Sequence, residues 1–179
     1  MRTSDLFVGL LFAFSSCAWA QNYPKIEASA GYMYLRFNPS TGPAANCSGG
    51  YGSIGANLND WFGVVADVDG CKTNRPAPNT NGNATTFLFG PKFAYRKCCL
   101  LTPFGQLLVG GAHGSAGLPG LANSATAFAF AAGGGVDYKP WRNCLFAIRV
   151  VEVDYLLTRF NGSNQNNFQL KTGIVLRWW

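Results

Sequence analysis

Charged residues fall inside strand-like apolar runs as well as in the polar segments between them, and eight are singled out as facing one interior: Glu27, Asp67, Asp137, Glu152 and Asp154 against Lys92, Lys171 and Arg177. Carboxylates and cations taken out of water persist only when paired. Five acids against three bases is near balance, and Arg96 at the end of its run narrows the gap. Glu152 and Asp154 stand one run before Lys171, so neighbouring strands would bring them together as a cross-strand ion-pair network. Such a network has a structural use, filling an interior and fixing strand register. It also has a transport use, as a selectivity lining or gate for small solutes. A catalytic carboxylate pair is the remaining reading.

The single histidine, His113, precedes Ser115 by two residues. A histidine can activate a nearby serine for acyl transfer when a carboxylate orients the imidazole. Residues 124–130, the facing part of the next run, contain no Asp or Glu, and Asp137 lies a strand length away. No catalytic site is therefore expected, and His113 reads as a residue at the base of a loop. Gly133-Gly134-Gly135 lies within a strand pattern with no helix after it, so it is not a phosphate loop. It suits a crowded interior, a bend or packing against an aromatic neighbour. Cys47 and Cys71 fall in the first two long loops and are candidates to bridge them, and Cys144 is a candidate partner for Cys98 or Cys99. No cysteine pair has zinc-finger spacing, so neither a metal nor a cofactor is expected.

The elements that must hold these residues follow from composition and period. Charged residues are 12% of the chain, about half the share usual for a soluble domain. Hydrophobic residues reach 48%, yet no run is long enough for a comfortable membrane helix. The basic residues form no stripe with interleaved aromatics, which argues against nucleic-acid binding. Arg2, the apolar stretch Leu6–Phe14 and Ala18-Trp19-Ala20 read as a signal peptide over residues 1–20, with a mature barrel domain over 21–179.

From Gln21 onward eight runs alternate with Gly, Asn, Pro and Ser clusters: about 25–37, 50–58, 61–70, 85–96, 102–113, 125–139, 145–160 and 167–179. Short links (Asn59-Asp60, 97–101, 140–144) alternate with long polar ones (38–49, 71–84, 114–124, 161–166). That alternation predicts an all-β fold, an eight-stranded antiparallel up-and-down transmembrane β-barrel with short turns in the periplasm and long loops outside. Within runs the period is two. Phe87, Phe89, Phe93 and Tyr95 oppose Leu88, Gly90, Lys92 and Ala94, and Leu170, Ile174 and Trp178 oppose Gln169, Lys171, Gly173 and Arg177.

A soluble lipocalin-like barrel would put its bulky apolar face inside. Eight strands enclose just enough room for side chains, so the aromatic face belongs in lipid and the small and charged face in the lumen. Arg149 resists this scheme, sharing parity with Val151, Val153 and Tyr155. It must lie near the membrane interface or beside a bulge. Trp61, Tyr95, Tyr138, Trp141 and Trp178 toward the short turns, with Tyr32, Tyr34, Tyr155 and Phe160 toward the long loops, match aromatic girdles.

Gly31-Tyr32-Met33-Tyr34, Trp61-Phe62-Gly63-Val64-Val65-Ala66-Asp67, Phe89-Gly90-Pro91-Lys92, Thr102-Pro103-Phe104, Gly133-Gly134-Gly135-Val136-Asp137 and Val153-Asp154-Tyr155 resemble, in order and spacing, the OmpA-like (porin-like) outer-membrane β-barrel family. The resemblance covers the predicted mature chain. It implies an eight-stranded barrel in the outer membrane, contact with outer-membrane lipid, and no single activity, because the family includes anchors, adhesins and narrow pores. The terminal aromatic strand ending in Trp178-Trp179 resembles the signal read by outer-membrane assembly machinery. His113 and Ser115 resemble the catalytic pair of lipid A deacylases, but without the carboxylate. The expected function is thus a non-enzymatic outer-membrane barrel, structural or surface-interacting, with its lumen plugged by polar and charged side chains. A narrow porin and a lipid-modifying enzyme are the alternatives.

Overall fold

Alternating apolar and small or polar residues build eight strands: β1 (Ile26–Phe37), β2 (Ala45–Asn57), β3 (Phe62–Asn74), β4 (Asn81–Ala94), β5 (Leu101–Leu118), β6 (Leu121–Tyr138), β7 (Phe146–Phe160) and β8 (Ser163–Trp178). The computed structural model describes residues 23–37, 45–74, 81–97, 100–118, 121–140, 145–160 and 163–179. Each strand pairs antiparallel with the next, and β8 returns to β1, so the sheet closes without an edge. The β2–β3 link is held by Asn59, whose Oδ1 accepts the backbone N–H of Trp61 at 3.0 Å and of Phe62 at 2.6 Å.

The strands run further than the apolar pattern suggested. Within the segments read as long loops, residues 45–49, 71–74, 81–84, 114–118, 121–124 and 163–166 are ladder, because backbone pairing needs no apolar side chain. At about 3.4 Å per residue the 18 residues of β5 or β6 extend roughly 60 Å along the strand. Even with a tilt of about 40° that exceeds an apolar band of about 25 Å, so the hairpin stands clear of the membrane.

The two faces of the wall differ sharply. Phe87, Phe89, Phe93, Phe128, Ile148, Tyr155 and Ile174 are exposed on the outside. Trp61, Tyr95, Tyr138 and Trp178 ring the short-turn end, and Tyr32 and Tyr155 stand toward the other. Trp141 lies outside the described residues. Inside, Met33, Leu35, Cys47, Tyr51, Val65, Cys71, Leu88, Leu108, Ala112, Ala129, Ala131 and Leu156 form an apolar cluster.

Glycines on the inner face leave room for the bulkier side chains that point inward. A Cβ at Gly135 would stand 2.9 Å from Cζ of Phe104, an aromatic ring that points inward instead of into lipid. Gly70, on the outer face, has nothing within 4 Å of the same position.

Cys47 and Cys71 are bonded to each other. They lie on β2 and β3, not in loops: Cys47 faces Thr73 in register and Cys71 faces Gly49, so the bond crosses the ladder diagonally within the buried face. Cys98, Cys99 and Cys144 lie outside the described residues.

Candidate functional site

Arg149 faces inward, and a bulge is the reason. The β6–β7 register passes from Val136↔Val151 to Asp137↔Arg149, leaving Val150 as the extra residue. Val150 and Val151 both face outward, at 54% and 36% exposure, and the parity of β7 reverses between them. Thr172 stabilises the irregularity by donating its hydroxyl to the Arg149 carbonyl at 2.9 Å.

With Arg149 inside, the charged residues join into one chain of ion pairs. At the short-turn end Glu27 meets Lys92 Nζ and Arg177 Nε, each at 3.0 Å, and Arg96 at 3.6 Å. Arg177 reaches Asp137 at 3.0 Å, and Arg149 joins Asp137 at 3.0 Å to Glu152 at 2.6 Å. Glu152 also faces Lys171 at 3.5 Å. The Lys171 ammonium sits among Asp67, its tightest partner, Asp69 at 3.1 Å and Asp154 at 3.4 Å. Gln106 donates to Glu152 at 3.0 Å and Asp154 at 3.2 Å, and Thr86 donates to Asp69 at 2.8 Å. The ring of Phe104 lies between Lys92 and Arg149, 4.4 and 4.6 Å from its centre.

All eight charged residues singled out in the sequence point into this interior, each buried. Lys171 meets Glu152 and Asp154 on the neighbouring strand at 3.5 and 3.4 Å, but its tightest partner is Asp67 across the lumen. Arg177 meets Glu27 on the neighbouring β1, and Lys92 reaches the same carboxylate from β4. Arg149, Asp69 and Gln106 were missing from the sequence-derived set. Asp69 shares the parity of Asp67 and was readable on that ground. Gln106 lies between Phe104 and Leu108 on the same face. Arg149 was hidden by the bulge.

Chemically, this interior can exclude water and hold charge. One carboxylate oxygen each from Asp67, Glu152 and Asp154 lies within 4.8 Å of the others, the spacing of a metal ligand set, with Lys171 among them. His113 is on the opposite side of the wall. It is exposed, and its Nδ1 lies 3.0 Å from the Thr126 hydroxyl. Its cross-strand neighbours are Thr85 and Thr126. Asp137 is committed to Arg149 and Arg177 inside the barrel, so no carboxylate among these partners orients the imidazole.

The fold matches known outer-membrane barrels. Neisserial surface protein A superposes with a TM-score of 0.70 at 17% identity, covering 86% of this chain and 97% of that one. Ail, the attachment invasion locus protein of Yersinia pestis, gives 0.60 at 17% identity over 86% and 99%. OprG of Pseudomonas aeruginosa gives 0.54 at 7% identity over 89% and 98%. No curated protein sequence matches the chain. The outer membrane protein beta-barrel domain model matches residues 6–175, nearly the whole sequence, and the chain therefore belongs to that family.

Proposed function

We propose that this chain is a non-enzymatic outer-membrane barrel with a plugged lumen, acting through the surface at its long-loop end. One observation carries the reading: the interior holds both an ion-pair chain and an apolar cluster. The chain runs from Glu27 to Lys171, and the cluster, which includes Met33, Leu35, Leu108 and Leu156, lies against it, Met33 facing Lys171 and Leu88 facing Asp67 in register. Inward side chains of both kinds, in a barrel of only eight strands, support a lumen filled by its own side chains.

The outward charges near the long-loop end, Arg36, Lys72 and Arg159, are all cationic and exposed, whereas every described acid except Asp60 is buried. That surface favours an anionic partner. Ail, of the same fold, has been solved in complex with the heparin analogue sucrose octasulfate. Residues 1–20 serve as the export signal, residues 21–179 form the barrel, and the Trp178-Trp179 end engages the assembly machinery. Outer-membrane lipid covers the aromatic wall.

Planar-bilayer recording tests the plug. Refolded protein should insert and give no steady open-channel current. Steady conductance that disappears in Lys92→Met or Glu152→Gln would overturn the plugged reading and establish the narrow porin. The surface role is tested by retention on immobilised heparin, which should be lost when Arg36, Lys72 and Arg159 are all changed to Ala.

A further inference from the structure

The acids around Lys171 exceed the positive charge that reaches them. Asp67, Asp69 and Asp154 have no ion-pair partner among the described residues other than Lys171, and Glu152 shares itself between Lys171 and Arg149. Three carboxylates on one ammonium, when all are ionised, leave two negative charges in a region where all these groups are at most 3% exposed. The imbalance is local: Glu27 at the short-turn end is met by three cations. Uncompensated buried charge is too costly to persist.

The nest also has unused ligating atoms. Asp67 Oδ1 has no hydrogen-bond partner, and Asp69 Oδ1 and Asp154 Oδ2 have none beyond their ion pairs with Lys171 at 3.1 and 3.4 Å. Two neutral side chains beside it are in the same condition. Gln169 is fully buried, stands opposite Asp154 on the inner face of β8, and leaves both Oε1 and Nε2 unpartnered. Tyr51 is 5% exposed, its ring centre is 5.4 Å from the Lys171 ammonium, and its hydroxyl is unpartnered. Buried polar atoms of this number call for a missing partner.

We propose that this nest holds one hard divalent cation of the calcium class beside Lys171. Carboxylate oxygens of Asp67, Glu152 and Asp154 would be ligands, and the Gln169 amide oxygen and water would complete the shell. The donor set is all oxygen, as calcium requires, and ligands about 2.3–2.6 Å from one ion stand no more than about 5 Å apart. The three carboxylate oxygens meet that limit at 4.8 Å. Two positive charges cancel the local excess of two. The ion enters as the barrel closes around it and stays as a fixed part of the interior.

The test uses the metal alone. The full barrel is refolded in detergent at pH 8, once with calcium and once with chelator, and bound calcium is measured after gel filtration. Terbium then reports the site directly, since Tyr51 is close enough to sensitise its emission. One equivalent of calcium per barrel, with terbium emission lost in Asp154→Asn and weakened about tenfold in Gln169→Leu, is the expected result. Heat-modifiable gel mobility confirms that each variant has folded. Lys171→Met provides the second measurement. Binding in that variant with none in the natural chain means the ammonium fills the nest alone and overturns the proposal. Absence of a stoichiometric ion from both, in barrels refolded with calcium present, overturns it equally.

Discussion

Arg149→Met is the substitution that tests the interior most directly. The guanidinium links Asp137 at 3.0 Å to Glu152 at 2.6 Å, and both carboxylates are at most 1% exposed. Methionine keeps the apolar first part of the side chain but removes the guanidinium, with its two ion pairs and its contact on the Phe104 ring. Breaking a buried ion pair by removing one partner costs about 3–5 kcal/mol, because the charge left behind stays buried. Asp137 keeps Arg177 and Glu152 keeps Lys171, which places the expected loss toward the lower end, about 3 kcal/mol. Glu152→Gln should cost less, about 1–2 kcal/mol, since Arg149 retains Asp137 and Lys171 retains three acids. The double variant should then be more stable than the sum of the two losses predicts, by at least about 1 kcal/mol. Reversible urea unfolding from phospholipid vesicles, followed by tryptophan fluorescence, measures all three. A loss below about 1 kcal/mol for Arg149→Met, or strict additivity in the double variant, would refute the argument that Arg149 is held inside by its acids.

The glycine asymmetry predicts opposite outcomes for similar changes. Gly135→Val meets the Phe104 ring and should block folding, whereas Gly70→Ala opens into free space and should leave heat-modifiable mobility unchanged. Replacing Cys47 and Cys71 by Ser removes a cross-link spanning 24 residues and should lower unfolding stability by about 2–4 kcal/mol while the barrel still forms, as urea titration would show. Edman sequencing of protein recovered from outer membranes should begin at Gln21.

The order of strands and the facing of most side chains were readable, because period two is a local property of each run. Phe87, Leu88, Phe89 and Lys92 carry their direction in their spacing. Strand ends were less readable. Gly82 to Ala84 and Gly114 to Gly117 look like loop by composition, yet they pair across β4 and β5 because the ladder uses only backbone groups. Arg149 shows the limit of parity reasoning: one extra residue at Val150 reverses the side of the wall for everything before it in the strand. Glu152 and Asp154 beside Lys171 followed from strand adjacency, but Asp67 on Lys171 and Lys92 on Glu27 did not, since a pattern along one strand says which side chains enter the lumen but not which meet across it. Cys47 and Cys71 were paired correctly in the sequence but placed in loops, because the strands were drawn too short.

Arg177 on the final strand grips Glu27 on the first, 150 positions apart in the chain. Until those two strands meet, eight strands joined by seven ladders leave a seam, and the cation and anion flanking it lack each other, with Asp137 and Lys92 as their other partners. Partial assembly therefore gains little by waiting. The free-energy reward arrives in the same event that shuts the cylinder, and a half-inserted sheet is driven either to completion or back toward water. A charge at each end of the polypeptide thus works as a latch, making closure the step at which the fold is decided.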